Sequence, residues 1–193
     1  MNTEPILNSI LKHIHLTDAE KKYFVSMLLP IHQKQGELIE KSGEASAAMI
    51  YVHSGCLMTY YSDPNGSDRV VQFAPTGWWT GDLHSIDTGQ PSIYSTKALV
   101  ESEAFLLPKE KITELLVKVA AFEKYFRILY QKSLVTHQHR IIQAFSFTAE
   151  QRYAHFREKY PALEQYVPLK YIASYLGITP EFLSKIRRKQ LEK

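Results

Sequence analysis

The sequence is short of cysteine and of long apolar runs. Cys56 is the only cysteine, which excludes an intramolecular disulfide and an iron–sulfur cluster held by four thiolates of this chain. No run of about 18 apolar residues occurs, and residues 1–5 carry no basic cluster. We therefore expect a cytoplasmic protein that neither spans a membrane nor carries an export signal.

Positive charge is modest in total but concentrated near the C-terminus. The formal net charge of +3 permits a nucleic-acid partner without requiring one. Residues 185–193 contain a single acid, Glu192, and five basic residues, which are Lys185, Arg187, Arg188, Lys189 and Lys193. Such a cluster suits contacts to phosphate, although cations near a helix C-terminus also stabilise the helix dipole.

Short β-type segments alternate with turn residues between positions 36 and 107. Upstream, Thr17 and Glu20 have the spacing of a capping box, which predicts a short helix from there to about Leu29. The predicted strands are residues 37–40, 48–53, 57–61, 69–73, 96–100 and 103–107. Asn65-Gly66 is a strong hairpin signal. Short strands at near-regular spacing are typical of a barrel or sandwich.

The composition changes after Pro108, because no proline or glycine follows until Pro161. Apolar residues then recur at helical spacing, at Phe122, Tyr125, Phe126, Leu129, Leu134, Val135, Ile141, Ile142 and Phe145. The pattern predicts one long helix with too much apolar surface for a solvated linker. We interpret it as a homodimerisation helix; the alternative is a core helix of a monomer.

The last third contains a helix-turn-helix pattern. Pro168 stands at a favoured first helical position, Gly177 ends that helix, and Thr179 and Pro180 begin a second one. Ala173 is small where the two helices would cross, and the residues expected to be buried between them are Ile172, Leu183 and Ile186. An ordinary helical hairpin is the alternative.

The second helix of this pattern also has a polar and cationic outer side. Glutamate, lysine and arginine side chains there suit base edges and phosphates in a major groove. The candidate DNA-binding residues are Thr179, Glu181, Ser184, Lys185, Arg187 and Arg188. We therefore predict double-stranded DNA as a partner.

From Ile6 to Lys189 the chain resembles the catabolite-activator and fumarate/nitrate-regulator family of bacterial transcription factors. The resemblance is carried by residues 36–39, 51–55, 77–83 and 167–188. It implies an α+β fold: an N-terminal β-roll or jelly-roll barrel like a cyclic nucleotide-binding domain, a long dimerisation helix and a C-terminal helix-turn-helix. The chain ends at Lys193, so we expect no full β-hairpin wing after that motif.

The resemblance also implies domain boundaries and partners. We expect a sensor domain over residues 1–108, a dimerisation region over 109–146 and a DNA-binding domain over 147–193. The implied function is effector-controlled binding of a homodimer to a palindromic DNA site, with RNA polymerase as a further partner.

In cyclic nucleotide-binding members a glycine, a glutamate and, about ten residues later, an arginine surround the cyclic phosphate. Gly81 matches the glycine, but Asp82 replaces the glutamate, and Ser92-Ile93 replace the arginine and its neighbour. Serine cannot supply the charge-assisted contact of a guanidinium, which argues against ordinary cyclic AMP. No cofactor is required and the effector stays unnamed. The candidate effector pocket comprises Gly81, Asp82, Leu83, Ser92, Ile93 and Thr136.

Alternative interpretations remain at several points. Thr136 aligns with a hydroxyl that contacts the base in the family, but a helix-pairing role is the simpler interpretation. The sensor could also be degenerate and act without DNA, or regulate constitutively with an empty barrel. Among eight histidines only His53 and His84 fall in the strand region, so a cupin-like metalloenzyme has little support, and haem ligation by His84 or Cys56 rests on single residues. No catalytic motif is present, and we expect neither an enzyme nor a metal site.

Overall fold

The computed structural model describes residues 1–191, with side chains for residues 1–190. Lys193, which belongs to the predicted basic cluster, and Glu192, the acid beside it, lie outside the described residues. Two helices, α1 (Glu4–Leu11) and α2 (Asp18–Ser26), come first. The strands are β1 (Leu29–Gln33), β2 (Leu38–Glu40), β3 (Ala48–Ser54), β4 (Cys56–Ser62), β5 (Asp68–Pro75), β6 (Trp79–Thr80), β7 (Ser95–Ala98) and β8 (Ser102–Pro108), with helix α3 (Leu83–Thr88) after β6. The C-terminal helices are α4 (Lys109–Lys118), α5 (Ala121–Ser146), α6 (Ala149–Lys159), α7 (Leu169–Leu176) and α8 (Pro180–Leu191).

The strands form two four-stranded antiparallel sheets, in the orders β1-β8-β3-β6 and β2-β7-β4-β5. All six predicted strands are present, with ends shifted by one or two residues. The hairpin predicted at Asn65-Gly66 joins β4 to β5, where the Asp63 carboxylate accepts hydrogen bonds from the backbone of Asn65 and Ser67. The predicted α+β class with a jelly-roll-like barrel is confirmed.

The helix expected from Thr17 to about Leu29 is shorter than predicted. The capping box is present, since the Thr17 hydroxyl accepts from the Glu20 backbone and the Glu20 carboxylate accepts from the Thr17 backbone. The helix ends at Ser26, however, and Leu29 begins β1, where it pairs with Leu106. Pro30 explains why the helix ends early, because a residue before proline favours extended backbone and proline itself disrupts a helix interior.

The predicted long helix is confirmed as α5, which has 26 residues. Its first turns pack Phe122, Tyr125 and Phe126 into a core shared with α1, α2 and α4. Its second half leaves five large apolar side chains exposed, namely Leu134, Val135, Ile141, Ile142 and Phe145. The change from buried to exposed apolar residues along one helix leaves an unpartnered stripe on its C-terminal half.

The helix-turn-helix is confirmed as α7 and α8. Gly177 has φ of +68°, the left-handed conformation expected after a helix, and the Thr179 hydroxyl accepts from the Phe182 backbone at 3.2 Å. The residues predicted to lie between the helices, which include Ala173 and Leu183, are buried. Pro168 caps α7 instead of occupying its first turn, since its ψ of 135° is still extended.

A second core joins the C-terminal helices to the barrel. Phe73 on β5 packs against Phe156 and Tyr160 of the α6 region and against Tyr175 on α7. The Ser174 hydroxyl accepts from the Val70 backbone at 3.0 Å and donates to the carbonyl oxygen of Asp68 at 2.7 Å. The C-terminal helices therefore lie directly on the β4–β5 hairpin.

Candidate effector and nucleic-acid sites

Helix α8 presents one polar face to solvent. Glu181, Ser184, Lys185 and Arg188 stand at positions i, i+3, i+4 and i+7, which share one side of an α-helix. The opposite side carries Leu183 and Ile186, which are 0% and 4% exposed. The face is thus presented by a helix whose other side is fixed in the core.

Arg187 lies apart from that face. It follows Leu183 by four residues, so it stands at the edge of the buried side of α8. Its Nε lies 4.0 Å from a carboxylate oxygen of Glu164, which also accepts a hydrogen bond from Tyr153 and pairs with Arg157 at 3.3 Å. The structure therefore gives Arg187 a local acidic partner, whereas within the described residues Lys185 and Arg188 have no carboxylate at salt-bridge distance.

Thr179 precedes the polar face rather than lying on it. Its hydroxyl caps the first turn of α8, as the sequence pattern indicates. Because the capping hydroxyl is engaged with the helix backbone, Thr179 positions the first turn of α8 in this structure.

The segment that resembles a phosphate cassette is closed by its own hydrogen bonds. Asp82 caps α3, and one carboxylate oxygen accepts from the backbone nitrogens of His84 at 3.1 Å and Ser85 at 3.3 Å. Its other oxygen accepts from the Ser92 hydroxyl at 2.7 Å. Gly81 has φ of +141°, which other residues rarely adopt, and a Cβ there would lie 3.3 Å from the carbonyl oxygen of Ala48, so both features favour glycine.

A second carboxylate, which the sequence analysis did not single out, lies near the cassette inside the barrel. Glu40 accepts hydrogen bonds from Ser46 and, at 2.9 Å, from the Thr96 hydroxyl. Hydrogen bonds of 3.0 Å continue from Thr96 to Thr59 and from Thr59 to Thr80. Burial raises the pKa of Glu40, and the nearby charge of Asp82 adds to the shift. The cassette region therefore contains two carboxylates and lacks the expected arginine, an arrangement that repels a phosphate.

The predicted effector residues do not converge on one cavity. Gly81, Asp82 and Ser92 lie together, whereas Leu83 and Ile93 are 43% and 57% exposed. Thr136 lies on α5 and lines a different cavity of about 740 Å³, which none of the other five candidates lines.

That cavity, here called the junction cavity, lies where the barrel, α5 and the C-terminal helices meet. The residues that define it come from β5 and the following turn, from α5, and from the α6 and α7 regions: Gln72, Trp78, Arg140, Lys159, Tyr160 and Tyr175. The sequence analysis missed it because its walls are more than 100 positions apart along the chain.

Metal and haem chemistry gain no support in the part of the chain that the structure describes. Residues 1–190 contain no group of three or more metal-ligating side chains. Cys56 is buried, and burial raises the pKa of its thiol to about 12, which disfavours the thiolate that a metal would need. None of the described helices combines the length and apolarity needed to cross a membrane.

The sequence matches the family model of the cyclic nucleotide-binding domain over residues 30–118. No curated protein matches the chain. Among solved structures, FixK2 from Bradyrhizobium japonicum is 15% identical with a TM-score of 0.73, over 84% of this chain and 83% of that one. A putative Crp/Fnr-family transcriptional regulator from Eubacterium rectale is 22% identical with a TM-score of 0.68, over 92% and 85% of the two chains.

A third similar structure is CLP, described as the c-di-GMP-responsive global regulator of Xanthomonas campestris. It is 12% identical with a TM-score of 0.69, over 91% of this chain and 92% of that one. At such low identities the likenesses establish a shared fold, which includes the barrel, the long helix and the C-terminal helices.

Proposed function

We propose that the chain is a sequence-specific DNA-binding regulator, because residues 30–118 match the model of the cyclic nucleotide-binding domain and the fold is similar to that of a Crp/Fnr-family regulator. The observation that carries the proposal is the outer face of α8. Lys185 and Arg188 provide positive charge there, and Glu181 provides an acceptor, on a rigid helix held by Leu183 and Ile186. These side chains suit guanine, phosphate and cytosine contacts in a major groove.

A homodimer follows from the exposed stripe of α5. Leu134, Ile141 and Phe145 recur at spacings of seven and four residues, which is the pattern of a two-helix seam. Pairing two chains along α5 brings two α8 helices to successive major grooves of a palindromic site. Binding to chromosomal DNA requires a cytoplasmic location, and RNA polymerase is a further partner of such a regulator.

The effector is not ordinary cyclic AMP. The Asp82 carboxylate is already occupied by Ser92 and by the first turn of α3, and Glu40 adds a second acidic group nearby. An effector acts by binding the DNA-competent arrangement better than the other. The geometry of the cassette supports a regulator that does not recognise cyclic AMP there.

The test is selection of random DNA duplexes at fixed salt by the full chain, with and without cyclic AMP. We expect a palindromic sequence to be enriched in both conditions. The double variant Lys185→Ala/Arg188→Ala should lose the enrichment. The control Lys22→Ala removes an exposed lysine of α2, far from α8 in the sequence, and should retain it. A folded wild-type protein that enriches no sequence would overturn the proposal in favour of a sensor that acts without DNA.

A further inference from the structure

Three cationic side chains line the junction cavity, namely Lys132, Arg140 and Lys159, and the last two lie close together. Arg140 projects from α5, and Lys159 stands at the end of α6. Neither forms a salt bridge with any carboxylate among residues 1–190. Partly buried charges are normally paired, so two neighbouring unpaired cations on one cavity need an explanation.

Arg140 is held by carbonyl oxygens and by an aromatic ring. Its guanidinium donates to the carbonyl oxygen of Val71 on β5 and, at 3.4 Å, to that of Tyr175 on α7. The guanidinium carbon also lies 4.2 Å from the centre of the Tyr175 ring. These contacts orient the charge without neutralising it, which leaves Arg140 available to an anion.

Lys159 is surrounded by aromatic surface. Its ammonium lies 5.4 Å from the Trp78 ring centre and 5.1 Å from that of Tyr160. Burial, and then the nearby charge of Arg140, lower the pKa of Lys159 to about 8. An anion between the two cations would relieve this repulsion.

The remaining walls suit a flat ring. Trp78 and Tyr175 are partly exposed and supply aromatic surface, backed by the buried Tyr160 ring, and Gln72 and Thr136 supply polar groups. The cavity of about 740 Å³ is in the range of small-molecule sites, which are apolar with a few converging polar groups.

We propose that the junction cavity binds a small aromatic anion, with its acidic group on Arg140 and Lys159 and its ring against Trp78. The site is separate from the cassette at Gly81 and Asp82. It uses residues of the barrel, of the dimerisation helix and of the DNA-binding end together.

The regulatory consequence rests on the proposed DNA-binding function, whereas ligand binding itself does not. Arg140 connects β5 to α7 through the carbonyl oxygens of Val71 and Tyr175. A bound anion shares the guanidinium with those two oxygens. Its binding therefore changes how firmly α7 is held on the barrel, which couples the cavity to the helix-turn-helix.

The test uses the full chain without DNA and two probes of the same ring system. 8-Anilinonaphthalene-1-sulfonate carries an anion, and N-phenyl-1-naphthylamine does not. Trp78 and Trp79 are the only tryptophans of the chain and both line the cavity, so energy transfer from tryptophan reports a probe bound in or near it, and the variants below locate the probe. We expect saturable energy transfer to the sulfonate with one site per chain.

Matched variants identify the role of charge. Arg140→Gln and Lys159→Gln should each weaken sulfonate binding about tenfold, which corresponds to about 1.4 kcal/mol. Neither should change binding of the neutral probe. Arg127→Gln removes an arginine from the same helix outside the cavity and should leave both probes unaffected.

Two outcomes would overturn the proposal: absence of saturable transfer, or equal sulfonate affinity in the wild type and in both cavity variants. Equal affinity would assign the probe to exposed apolar surface such as the stripe on α5. Circular dichroism and thermal unfolding confirm that each variant is folded, and Lys159→Gln decides the question if Arg140→Gln unfolds. Because this test contains no DNA, failure of the probe to bind leaves the DNA-binding proposal standing. Failure of the DNA selection in turn leaves the probe-binding test valid.

Discussion

The Ser92 hydroxyl donates a 2.7 Å hydrogen bond to the Asp82 carboxylate, at the place where the resemblance calls for an arginine and a glutamate around a cyclic phosphate. Ser92 is 4% exposed, so the hydroxyl that donates this bond is buried. The same carboxylate caps α3 through the backbone of His84 and Ser85. The substituted cassette has thus become a structural connection between the α3 cap and the segment before β7.

Cyclic AMP should therefore not bind with useful affinity. With no cation at position 92 and two carboxylates nearby, Asp82 and Glu40, the phosphate would meet repulsion without a charge-assisted partner. Isothermal titration calorimetry should give no saturable heat up to about 1 mM nucleotide, which corresponds to binding weaker than about −4 kcal/mol. Saturation at micromolar concentration would contradict this interpretation of the cassette.

The helix-turn-helix could be predicted because its constraints are local. Gly177 supplies the left-handed residue, Thr179 the cap, and Ala173 the close approach, all within seven positions. The spacing of Leu183 and Ile186 also fixes which side of α8 is buried. The same periodicity places Arg187 at the edge of that side and Lys185 on the opposite side. Charge alone does not distinguish these two residues.

The features that could not be predicted from the sequence depend on long-range contacts. Strand β6 has two residues, and it is defined by pairing with Ile50 and Tyr51 on β3 rather than by a pattern of its own. Helix α1 carries proline in its first turn, and its buried residues Ile6 and Ile10 pack on elements far along the chain. The junction cavity joins positions from 72 to 175, so no local pattern could reveal it.

Protonation of Glu40 should make stability depend on pH. Its pKa is raised in the fold, because burial disfavours the carboxylate. A raised folded pKa contributes stability that is fully present below the ordinary value of 4.5 and is lost as pH rises through the folded value. As pH rises above 4.5, the Tm of the wild type should therefore fall relative to the Tm of Glu40→Gln.

Thermal unfolding of the two proteins between about pH 4.5 and pH 8 measures this difference. Glu44→Gln, which alters an exposed loop carboxylate, is the control and should run parallel to wild type. A constant difference in Tm between wild type and Glu40→Gln over the whole interval would show that Glu40 does not titrate as its burial requires.

Lys185 should matter more for DNA binding than Arg187. Lys185 lies on the outer face of α8, whereas Arg187 lies near Glu164 at the edge of the buried side. We expect Lys185→Ala to weaken binding to the selected duplex about tenfold, and Arg187→Ala to weaken it less than about threefold. Glu181→Ala should relax base preference with little loss of affinity.

Fluorescence anisotropy at several salt concentrations measures these effects. If Lys185 contacts phosphate, its loss should reduce the salt slope by about 1. A larger loss for Arg187→Ala than for Lys185→Ala would mean that Arg187 leaves Glu164 on binding and that the face assigned to DNA is wrong.

Ile141→Asp should dissociate the proposed homodimer. Leu134, Ile141 and Phe145 are 59%, 55% and 86% exposed along one stripe of α5, and each large apolar side chain contributes about 1.5–3 kcal/mol when fully buried. A carboxylate in the middle of the stripe replaces that contribution by the cost of burying a charge. Sedimentation velocity should give a dimer for wild type and a monomer for the variant.

The control is Lys124→Asp, which introduces the same carboxylate at an exposed position in the first half of α5 and should remain dimeric. Since one α8 reads only half of a palindrome, Ile141→Asp should also lose affinity for the full site while unfolding as cooperatively as wild type. A dimeric Ile141→Asp protein would place the interface elsewhere and leave the apolar stripe without its proposed partner.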